Sequence, residues 1–389
     1  MIPLSVPNFE GNEEKYVTKA VSEGWVSTGG AYVSELEKNL AEYLKVPEVA
    51  ACQSGTAGLH LAMIESGVEP GDHVIVPTLT FIAAVNPVRY QFAEPIFMDC
   101  DDSLCMDPDK LETFLRNECE MTDKGTVYTA TGRTIKALVV VHVFGNLADL
   151  EAIKALTDKY GISLVEDATE ALGSYYQAGP FAGKMAGTIG DFGVYSFNGN
   201  KIITTGGGGA ITGADPRRVS HVRFLSTQAK TDAHNYIHDE IGFNYRMTNV
   251  QAAIGVAQLE SLEEFIRRKN DNYNLYDRLL RGNGGIRLIR YRDDTRSNKW
   301  LYSVEMDVDK SKLSVTDVIA MMAEAGVQTR PIWGLIHEQK PYRAYPAYRM
   351  EKAPYYFKRV INIPCSTNIT ETEIEKTVSE LKKISENFR

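Results

Sequence analysis

The chain is predicted to have an α/β fold built on a mostly parallel sheet, followed by a smaller α+β domain. Between Ser34 and Ile211, amphipathic helical patterns alternate with short apolar runs rich in β-branched residues. Such runs are typical of strands buried on both faces, and their alternation with helices is typical of parallel βαβ units. The length of 389 residues suggests two or three domains, at about 100–200 residues each.

Individual elements of the first part can be assigned from their periodicity. The predicted helices are 32–44, 107–117 and 148–161, and the predicted strands are 72–78, 94–100, 136–144 and 162–167. The segment 125–134, GTVYTATGRT, interrupts this alternation with turn formers and threonines. We therefore expect an inserted surface loop or hairpin there.

A change of pattern along the last third of the chain predicts a second, smaller domain. The stretch 249–280 has apolar residues at three- and four-residue spacing, which predicts a long helix that links the two domains. A strand over 297–308 and helices over 314–326 and 370–384 are typical of an α+β domain. The expected division is an N-terminal arm over 1–30, a large domain over 31–260 and a small domain over 261–389.

Charge and cysteine content narrow the class of protein. A formal net charge of −9 and a pI near 5.4 argue against nucleic-acid or anionic-membrane partners. The N-terminus lacks the pattern of a signal peptide, and the most apolar run, ALVVVHVFG, is too short to span a bilayer. Five cysteines without a CxxC pair favour a reduced compartment, with neither disulfides nor a metal site. We therefore expect a cytoplasmic protein.

The stretch SFNGNKIITTGGGGAI, residues 196–211, places Lys201 before four consecutive glycines. A phosphate-binding P-loop needs Gly-Lys-Ser/Thr, whereas Asn200 precedes this lysine and Ile202 follows it. The apolar neighbours instead favour burial, which lowers the pKa of a lysine and makes its amine a nucleophile toward an aldehyde. A lysine that snorkels to the surface from a strand end is the alternative left open by the local sequence.

A candidate anion site lies at Ser54, Gly55, Thr56 and Ala57, between the apolar run AACQ and the helical pattern GLHLAMIESG. A turn from a strand into a helix N-terminus presents backbone N–H groups and hydroxyls to an anion, aided by the helix dipole. An ordinary N-cap explains the same residue types, because Ser and Thr are favoured there.

Two further candidates follow predicted strands. Asp167 ends the run ISLVED, and a carboxylate at the carboxyl end of a parallel strand faces the crevice where α/β proteins bind ligands. It could pair with a protonated ring nitrogen of a cofactor, or it could cap a helix over 169–176. Phe81 follows the strand 72–78 and could stack on a planar cofactor or pack in the core.

These candidates indicate one cofactor when they are taken together and in this order. An anion-binding turn, an aromatic ring, an aspartate at a strand end and a buried lysine match the phosphate, ring, ring nitrogen and aldehyde of pyridoxal 5'-phosphate. The glycines after the lysine would let the backbone pass close to such a cofactor.

Seven segments give the chain an end-to-end resemblance to the DegT/DnrJ/EryC1/StrS family of sugar aminotransferases. They are IPLSVPNFEGNE, GWVSTGG, PTLTFIAAVNPV, VEDATEALGSYY, SFNGNKIITTGGGG, FNYRMTNVQAAIG and RPIW. The resemblance implies the fold-type I, aspartate aminotransferase-like architecture, pyridoxal 5'-phosphate as cofactor, and a homodimer with composite active sites.

The resemblance also implies roles for individual residues. Lys201 would be the lysine that bonds to the cofactor, and Asp167 would pair with its ring nitrogen. Other cofactor contacts would come from Ser54, Gly55, Thr56, Ala57, Phe81, Glu170, Ser196 and, from the neighbouring subunit, Asn244. Substrate contacts would come from Trp25, Val26, Ser27, Thr28, Asn198, Arg246 and Arg330.

The implied reaction is transamination of a nucleotide-linked keto sugar with L-glutamate as amino donor. The segments around Glu170 and Lys201 most resemble the LegC-like and bacillosamine-type branch, which implies a UDP-linked 4-keto-6-deoxy-N-acetylhexosamine. Many relatives have His or Gln in place of Glu170 and His in place of Asn198, so the sugar and the product stereochemistry stay open. Amination at carbon 3 of a dTDP-sugar and cofactor binding without turnover are the alternatives.

Overall fold

The computed structural model describes residues 1–232, 234–308 and 313–386. Their α-helices are α1 Glu13–Ser22, α2 Ala31–Leu44, α3 Gly55–Glu65, α4 Asn86–Tyr90, α5 Pro108–Glu118, α6 Leu150–Tyr160, α7 Pro216–Ser226, α8 Asn249–Glu260, α9 Leu262–Leu280, α10 Val315–Glu324, α11 Lys352–Phe357 and α12 Glu371–Ser385. Short 3-10 turns cover Ile82–Ala84, Val143–Gly145 and Ile336–Glu338. No helix in these ranges is both long and apolar enough to cross a bilayer.

The strands fall into one large sheet and several small ones. They are β1 Val49–Cys52, β2 His73–Pro77, β3 Glu94–Met98, β4 Cys119–Thr122, β5 Gly125–Tyr128, β6 Arg133–Val141, β7 Ser163–Asp167, β8 Tyr175–Tyr176, β9 Phe192–Ser196, β10 Gly209–Gly213, β11 Lys230–Asp232, β12 Ile237–His238, β13 Ile286–Leu288, β14 Thr295–Arg296, β15 Tyr302–Met306, β16 Arg330–Pro331, β17 Ala347–Tyr348 and β18 Val360–Ile363. Every helix and strand that the sequence predicted between residues 32 and 167 corresponds to a helix or a strand named in these two paragraphs.

The large sheet has the order β1-β10-β9-β7-β6-β2-β3-β17 and is parallel except for β10. β10 runs antiparallel to both β1 and β9, so it is the one reversed strand among these eight described strands. Strands β1, β2 and β6 are buried over most or all of their length, as expected for strands covered by helices on both faces. The predicted α/β class with a mostly parallel sheet is confirmed.

The insertion predicted at 125–134 is a hairpin on the edge of this architecture. β4 pairs antiparallel with β5, and β5 pairs with the start of β6 through Val127 and Thr134. Most of β4 is exposed, whereas Thr126 of β5 is buried and its hydroxyl donates to the carbonyl of Tyr160 at 2.5 Å. The hairpin alternative is therefore the correct one.

The predicted linking helix over 249–280 consists of two helices. Thr248 caps α8 with its side chain, in a capping box with Gln251. α8 ends at Glu260, and Ser261 separates it from α9. Beyond α9, strands β13, β15, β18 and β16 form an antiparallel sheet in that order, and α12 packs against α9 and α10.

A helix over 169–176, which the sequence left open as a reason for Asp167, is absent. The segment consists of turns and then β8, which pairs antiparallel with β14. Gly173 has φ of 84°, and Asn298 Nδ2 donates to the carbonyls of Glu170 and Leu172. These two carbonyls accept hydrogen bonds from a side chain outside the segment, and the segment does not form the backbone hydrogen bonds of a helix.

Candidate active site

A cavity of about 400 Å³ lies at the carboxyl ends of β2, β7 and β9 and at the start of α3. Open parallel sheets bind ligands at this edge. Nine of the residues predicted from sequence line the cavity: Ser54, Gly55, Thr56, Phe81, Asp167, Glu170, Ser196, Asn198 and Lys201. Segments up to 147 positions apart in the chain, at Ser54 and Lys201, are thereby brought to one place.

The turn into α3 is both an N-cap and an open anion site. Ser54 has extended backbone, and its Oγ accepts from the N–H of Ala57 at 3.0 Å. The N–H groups of Gly55 and Thr56 lie in the first helical turn, where no acceptor exists within the helix. The two sequence interpretations of this turn are therefore compatible, and Ala57 serves the cap while its neighbours line the cavity.

Gly55 allows the helix to start against the opposite wall of the cavity. A Cβ atom added at this position would lie 2.9 Å from Thr169 Cγ2 and 3.1 Å from Ser196 Cβ. Both separations are shorter than ordinary van der Waals contact between carbon atoms. The glycine thus lets the first turn of α3, with its N–H groups, approach the hydroxyl of Ser196.

Neighbouring carboxylates at the end of β7 point in opposite directions, because side chains alternate along a strand. Glu166 is fully buried and accepts from His142 Nε2 at 3.0 Å and from the N–H of Gly187 at 2.7 Å. Asp167 lines the cavity instead and accepts from the N–H of Thr169 at 3.1 Å. Burial raises the pKa of Asp167, so its carboxylate would be stabilised by a cation in the cavity.

Lys201 is directed into the cavity and is mostly buried, which argues against the snorkelling alternative. Its side chain is 12% exposed and lines the cavity, with Nζ 3.9 Å from Oε1 of Glu170. Burial lowers the pKa of the Lys201 amine, an effect that Glu170 and Asp167 partly offset. A buried amine with a lowered pKa is suited to attack an aldehyde carbon.

The glycines that follow Lys201 have different roles. Gly206 has φ of 78°, a conformation that strains other residues. Gly207 and Gly208 line the cavity, and a Cβ at Gly208 would lie 2.2 Å from Thr205 Oγ1. The backbone conformation therefore favours glycine at position 206, and the close approach of Thr205 favours it at position 208.

Aromatic side chains form part of the cavity wall, and sequence reasoning missed most of them. Trp300 and Trp333 line the cavity with near-parallel rings 6.4 Å apart. Phe81 lies 5.4 Å from Trp333 and keeps 53% of its surface exposed, so its ring borders the cavity rather than the core. The chain has three tryptophans, and their rarity was the signal in the sequence that could have identified this wall.

Several predicted residues lie outside the cavity. Arg246 forms a buried ion pair with Glu37, with Nη2 3.0 Å from Oε2. Asn244 lies in the preceding loop and makes an isolated bridge with Thr227. The remaining residues of this group are Trp25, Val26, Ser27 and Thr28, in the exposed segment before α2, and Arg330, exposed on β16.

The donor set of the cavity fits pyridoxal 5'-phosphate. Free first-turn N–H groups and the Ser196 hydroxyl suit a phosphate, and the buried carboxylate of Asp167 suits a protonated ring nitrogen. The buried amine of Lys201 suits an aldehyde. Within the described residues no cluster of His, Cys, Asp or Glu could hold a metal ion.

The fold and this cavity define a pyridoxal phosphate-dependent aminotransferase, and comparison with known proteins gives the family. The profile of the DegT/DnrJ/EryC1/StrS aminotransferase family matches residues 7–382, and the chain belongs to that family. It is a pyridoxal 5'-phosphate-dependent sugar aminotransferase.

Three curated relatives match along nearly the full chain. EpsN of Bacillus subtilis, a provisionally assigned pyridoxal phosphate-dependent aminotransferase, is 36% identical over 98% of this chain and 95% of its own length. GDP-perosamine synthase of Caulobacter vibrioides is 34% identical over 98% of both chains. UDP-4-amino-4,6-dideoxy-N-acetyl-β-L-altrosamine transaminase of Campylobacter jejuni is 28% identical over the whole of both chains.

A solved structure gives the same result for the fold. The aminotransferase TlmJ of Streptoalloteichus hindustanus superposes with a TM-score of 0.86 and 27% identity, over 98% of both chains. The expected fold-type I architecture is confirmed.

Proposed function

We propose that the protein transfers the amino group of L-glutamate to carbon 4 of a nucleotide-linked 4-keto-6-deoxy sugar. The observation that carries the proposal is the meeting of Lys201, Asp167 and the first turn of α3 in one cavity. A transaminase needs an amine that bonds to and leaves the cofactor, a cation partner for the ring, and an anchor for the phosphate.

Each group has a task in this proposal. The bound cofactor supplies an aldehyde carbon and a ring that takes up negative charge. Asp167 holds the ring nitrogen in its protonated form, and Gly55, Thr56 and Ser196 bind the phosphate. Lys201 holds the cofactor between turnovers, and its freed amine moves a proton at the carbon that gains or loses nitrogen.

The nucleotide carrier has two candidates. We favour the UDP-linked 4-keto-6-deoxy-N-acetylhexosamine, because the Campylobacter relative is named for a UDP-linked 4-amino-4,6-dideoxy sugar. A GDP-linked sugar is the second candidate, favoured by the higher identity to GDP-perosamine synthase. Assays of UDP- and GDP-linked 4-keto sugars side by side, each with L-glutamate, decide between them through the relative kcat/KM.

A homodimer with composite sites belongs to the same proposal. Asn244, predicted to reach a cofactor phosphate, lies outside the cavity of its own chain. The adjoining hairpin of β11 and β12 and the segment that follows it expose apolar side chains, with Tyr236 75% and Ile241 87% exposed. Large apolar residues grouped in this way are typical of a subunit interface. Sedimentation of the protein and of an Ile241→Asp variant tests it, and a monomeric but fully active variant would contradict the composite site.

The role of Lys201 is tested in the protein loaded with cofactor. Borohydride reduction followed by peptide mass analysis should place the cofactor on Lys201, and Lys201→Ala should abolish both the covalent label and turnover. Lys184→Ala is the matched control, because Lys184 is exposed. In the wild-type protein, L-glutamate should bleach the visible band and release 2-oxoglutarate. A protein that binds the cofactor without turnover would keep its band.

A further inference from the structure

We propose that Glu170 is the proton partner of Lys201: its carboxyl takes the proton from the Lys201 ammonium and returns it during each turnover. This inference rests on the proposed role of Lys201 as the reacting amine. It gives a chemical task to a residue for which the sequence predicted only a cofactor contact.

The geometry of Glu170 leaves one carboxyl oxygen fixed and the other free. Oε2 accepts from the N–H of Phe144 at 2.7 Å. Phe144 has φ of 57° and ψ of 18°, a left-handed conformation that directs its N–H toward the carboxyl. Oε1 faces Lys201, with 3.9 Å between the two atoms. Among the residues that the structure describes, no other carboxylate has an oxygen within 4.0 Å of Lys201 Nζ.

The surroundings of this pair favour loss of charge on both partners. Glu170 is 3% exposed, and burial raises its pKa to about 7 against the opposing effect of Lys201. Burial also lowers the pKa of Lys201. The other groups that face the carboxyl are Asp167, whose charge raises its pKa, and the Phe144 N–H, which lowers it. Burial thus moves the two pKa values toward each other, which favours transfer of a proton from the Lys201 ammonium to the Glu170 carboxylate.

The proton transfer balances without any other reactant. One N–H bond of the Lys201 ammonium breaks, one O–H bond forms at Oε1 of Glu170, and a neutral amine faces a neutral carboxylic acid. Such a pair avoids the cost of two buried charges. A rotation of the long lysine side chain, or one bridging water, brings Nζ and Oε1 within hydrogen-bond reach.

Asp167, the other carboxylate of the cavity, is less suited to this task. Its Oδ1 accepts a hydrogen bond from the N–H of Thr169. In the proposed function its negative charge pairs with the protonated ring nitrogen of the cofactor. Oε1 of Glu170 faces the Lys201 amine, and among the described residues it accepts no hydrogen bond. The two carboxylates therefore have separate tasks that follow from their separate hydrogen bonds.

The first experiment measures the proton on Glu170 directly. Infrared difference spectra of the cofactor-free protein, in which the Lys201 amine is not bonded to a cofactor, should contain between pH 5 and 9 the carbonyl band of a protonated carboxylic acid. The band should be lost in Glu170→Gln and kept in the exposed control Glu23→Gln. In cofactor-free Lys201→Met, the midpoint of this band should move to higher pH, because the Lys201 ammonium lowers the pKa of Glu170. The proposal is overturned if the band is unchanged in Glu170→Gln. It is also overturned if the pH midpoint of the band is the same in Lys201→Met as in the wild type.

The second experiment separates proton transfer from a structural role. Glutamine retains an oxygen that accepts from Phe144 but cannot donate a carboxyl proton. Glu170→Gln should keep the covalent cofactor label on Lys201 while the rate of bleaching by L-glutamate near pH 7 falls about 100- to 1,000-fold, the range of general acid–base catalysis. A rate within about threefold of the wild type from pH 6 to 9 overturns the proposal.

The two proposals fail in distinguishable ways. A wild-type protein that releases no 2-oxoglutarate from L-glutamate would refute the proposed function. The infrared measurement would still report whether Glu170 and Lys201 share a proton, since it needs no turnover.

Discussion

Nζ of Lys201 lies 3.8 Å from the ring centre of Trp300. The indole is held there by the residue next to Lys201, because Trp300 Nε1 donates to the carbonyl of Asn200 at 2.6 Å. The amine thus lies between an aromatic face and the carboxyl of Glu170. Both neighbours stabilise an ammonium, whereas burial destabilises it, and the balance sets how much neutral amine is present.

Replacing Trp300 should shift the pH dependence of the amine. A cation–π contact stabilises an ammonium by about 0.5–2 kcal/mol, and a pKa unit corresponds to about 1.4 kcal/mol. Trp300→Leu should therefore lower the midpoint of the pH–rate profile for capture of pyridoxal 5'-phosphate by about 0.4 to 1.4 units. Trp300→Phe, which keeps a ring face, is the control and should shift the midpoint less. Equal midpoints in the two variants would exclude the cation–π contribution.

Asp167→Asn should weaken cofactor binding. The amide cannot pair with a protonated ring nitrogen, and loss of one partner from a buried charge pair costs about 3–5 kcal/mol. The Kd for pyridoxal 5'-phosphate, measured by absorbance titration, should rise at least about 100-fold. Asp123→Asn, in the exposed turn between β4 and β5, should leave it unchanged. A rise below about threefold would mean that Asp167 does not pair with the ring.

Arg246 should prove to be a stability residue in its own subunit. Its partner Glu37 is buried and also accepts from the N–H of Ala51 at 2.7 Å. Arg246→Leu leaves this carboxylate with the Arg223 guanidinium, 3.6 Å away, as its cationic partner. The loss of the closer partner should lower the free energy of unfolding by up to about 3–5 kcal/mol. The double variant Glu37→Leu, Arg246→Leu should regain part of that loss. A raised KM for the sugar without loss of stability would instead support the substrate contact predicted from sequence.

His60 should make the protein less stable in mild acid. Burial lowers its pKa from 6.5 to about 4, so in the folded state it binds a proton only at lower pH than in the unfolded state. Between those two values the unfolded chain binds more protons, and stability falls as the pH drops from 6.5 toward 4. Urea unfolding of His60→Phe across this window should give a shallower decline. An unchanged slope would show that another group is responsible.

Local sequence was sufficient for the elements that carry the site. The apolar runs before Ser54 and through Asp167 identify buried parallel strands, and the residue that follows such a strand lies at the ligand-binding edge of the sheet. The Ser-Gly-Thr turn identifies a helix start because few residue types cap helices well. These inferences succeeded because they depend on periodicity and backbone hydrogen bonding within about ten residues.

Contacts between segments that are far apart in the chain could not be predicted from the sequence. Trp300 lies within a stretch that reads as a strand, and nothing near it indicates that its ring covers the amine of Lys201. Arg246 has the same local sequence whether it binds a substrate or pairs with Glu37, and only the packing of its loop against α2 decides. Burial of Lys201 was likewise one of two alternatives until the walls of the cavity were in place.

The sequence by itself determined the fold class and the cofactor, since these follow from patterns repeated along the chain and from their order. It also predicted Lys201 as the reactive lysine, the assignment that the borohydride experiment tests. The tertiary structure decided what surrounds that lysine. The pKa of an amine depends on every charge, dipole and aromatic face within a few ångströms. For Lys201 those groups belong to Glu170, Asp167 and Trp300, which only folding brings together.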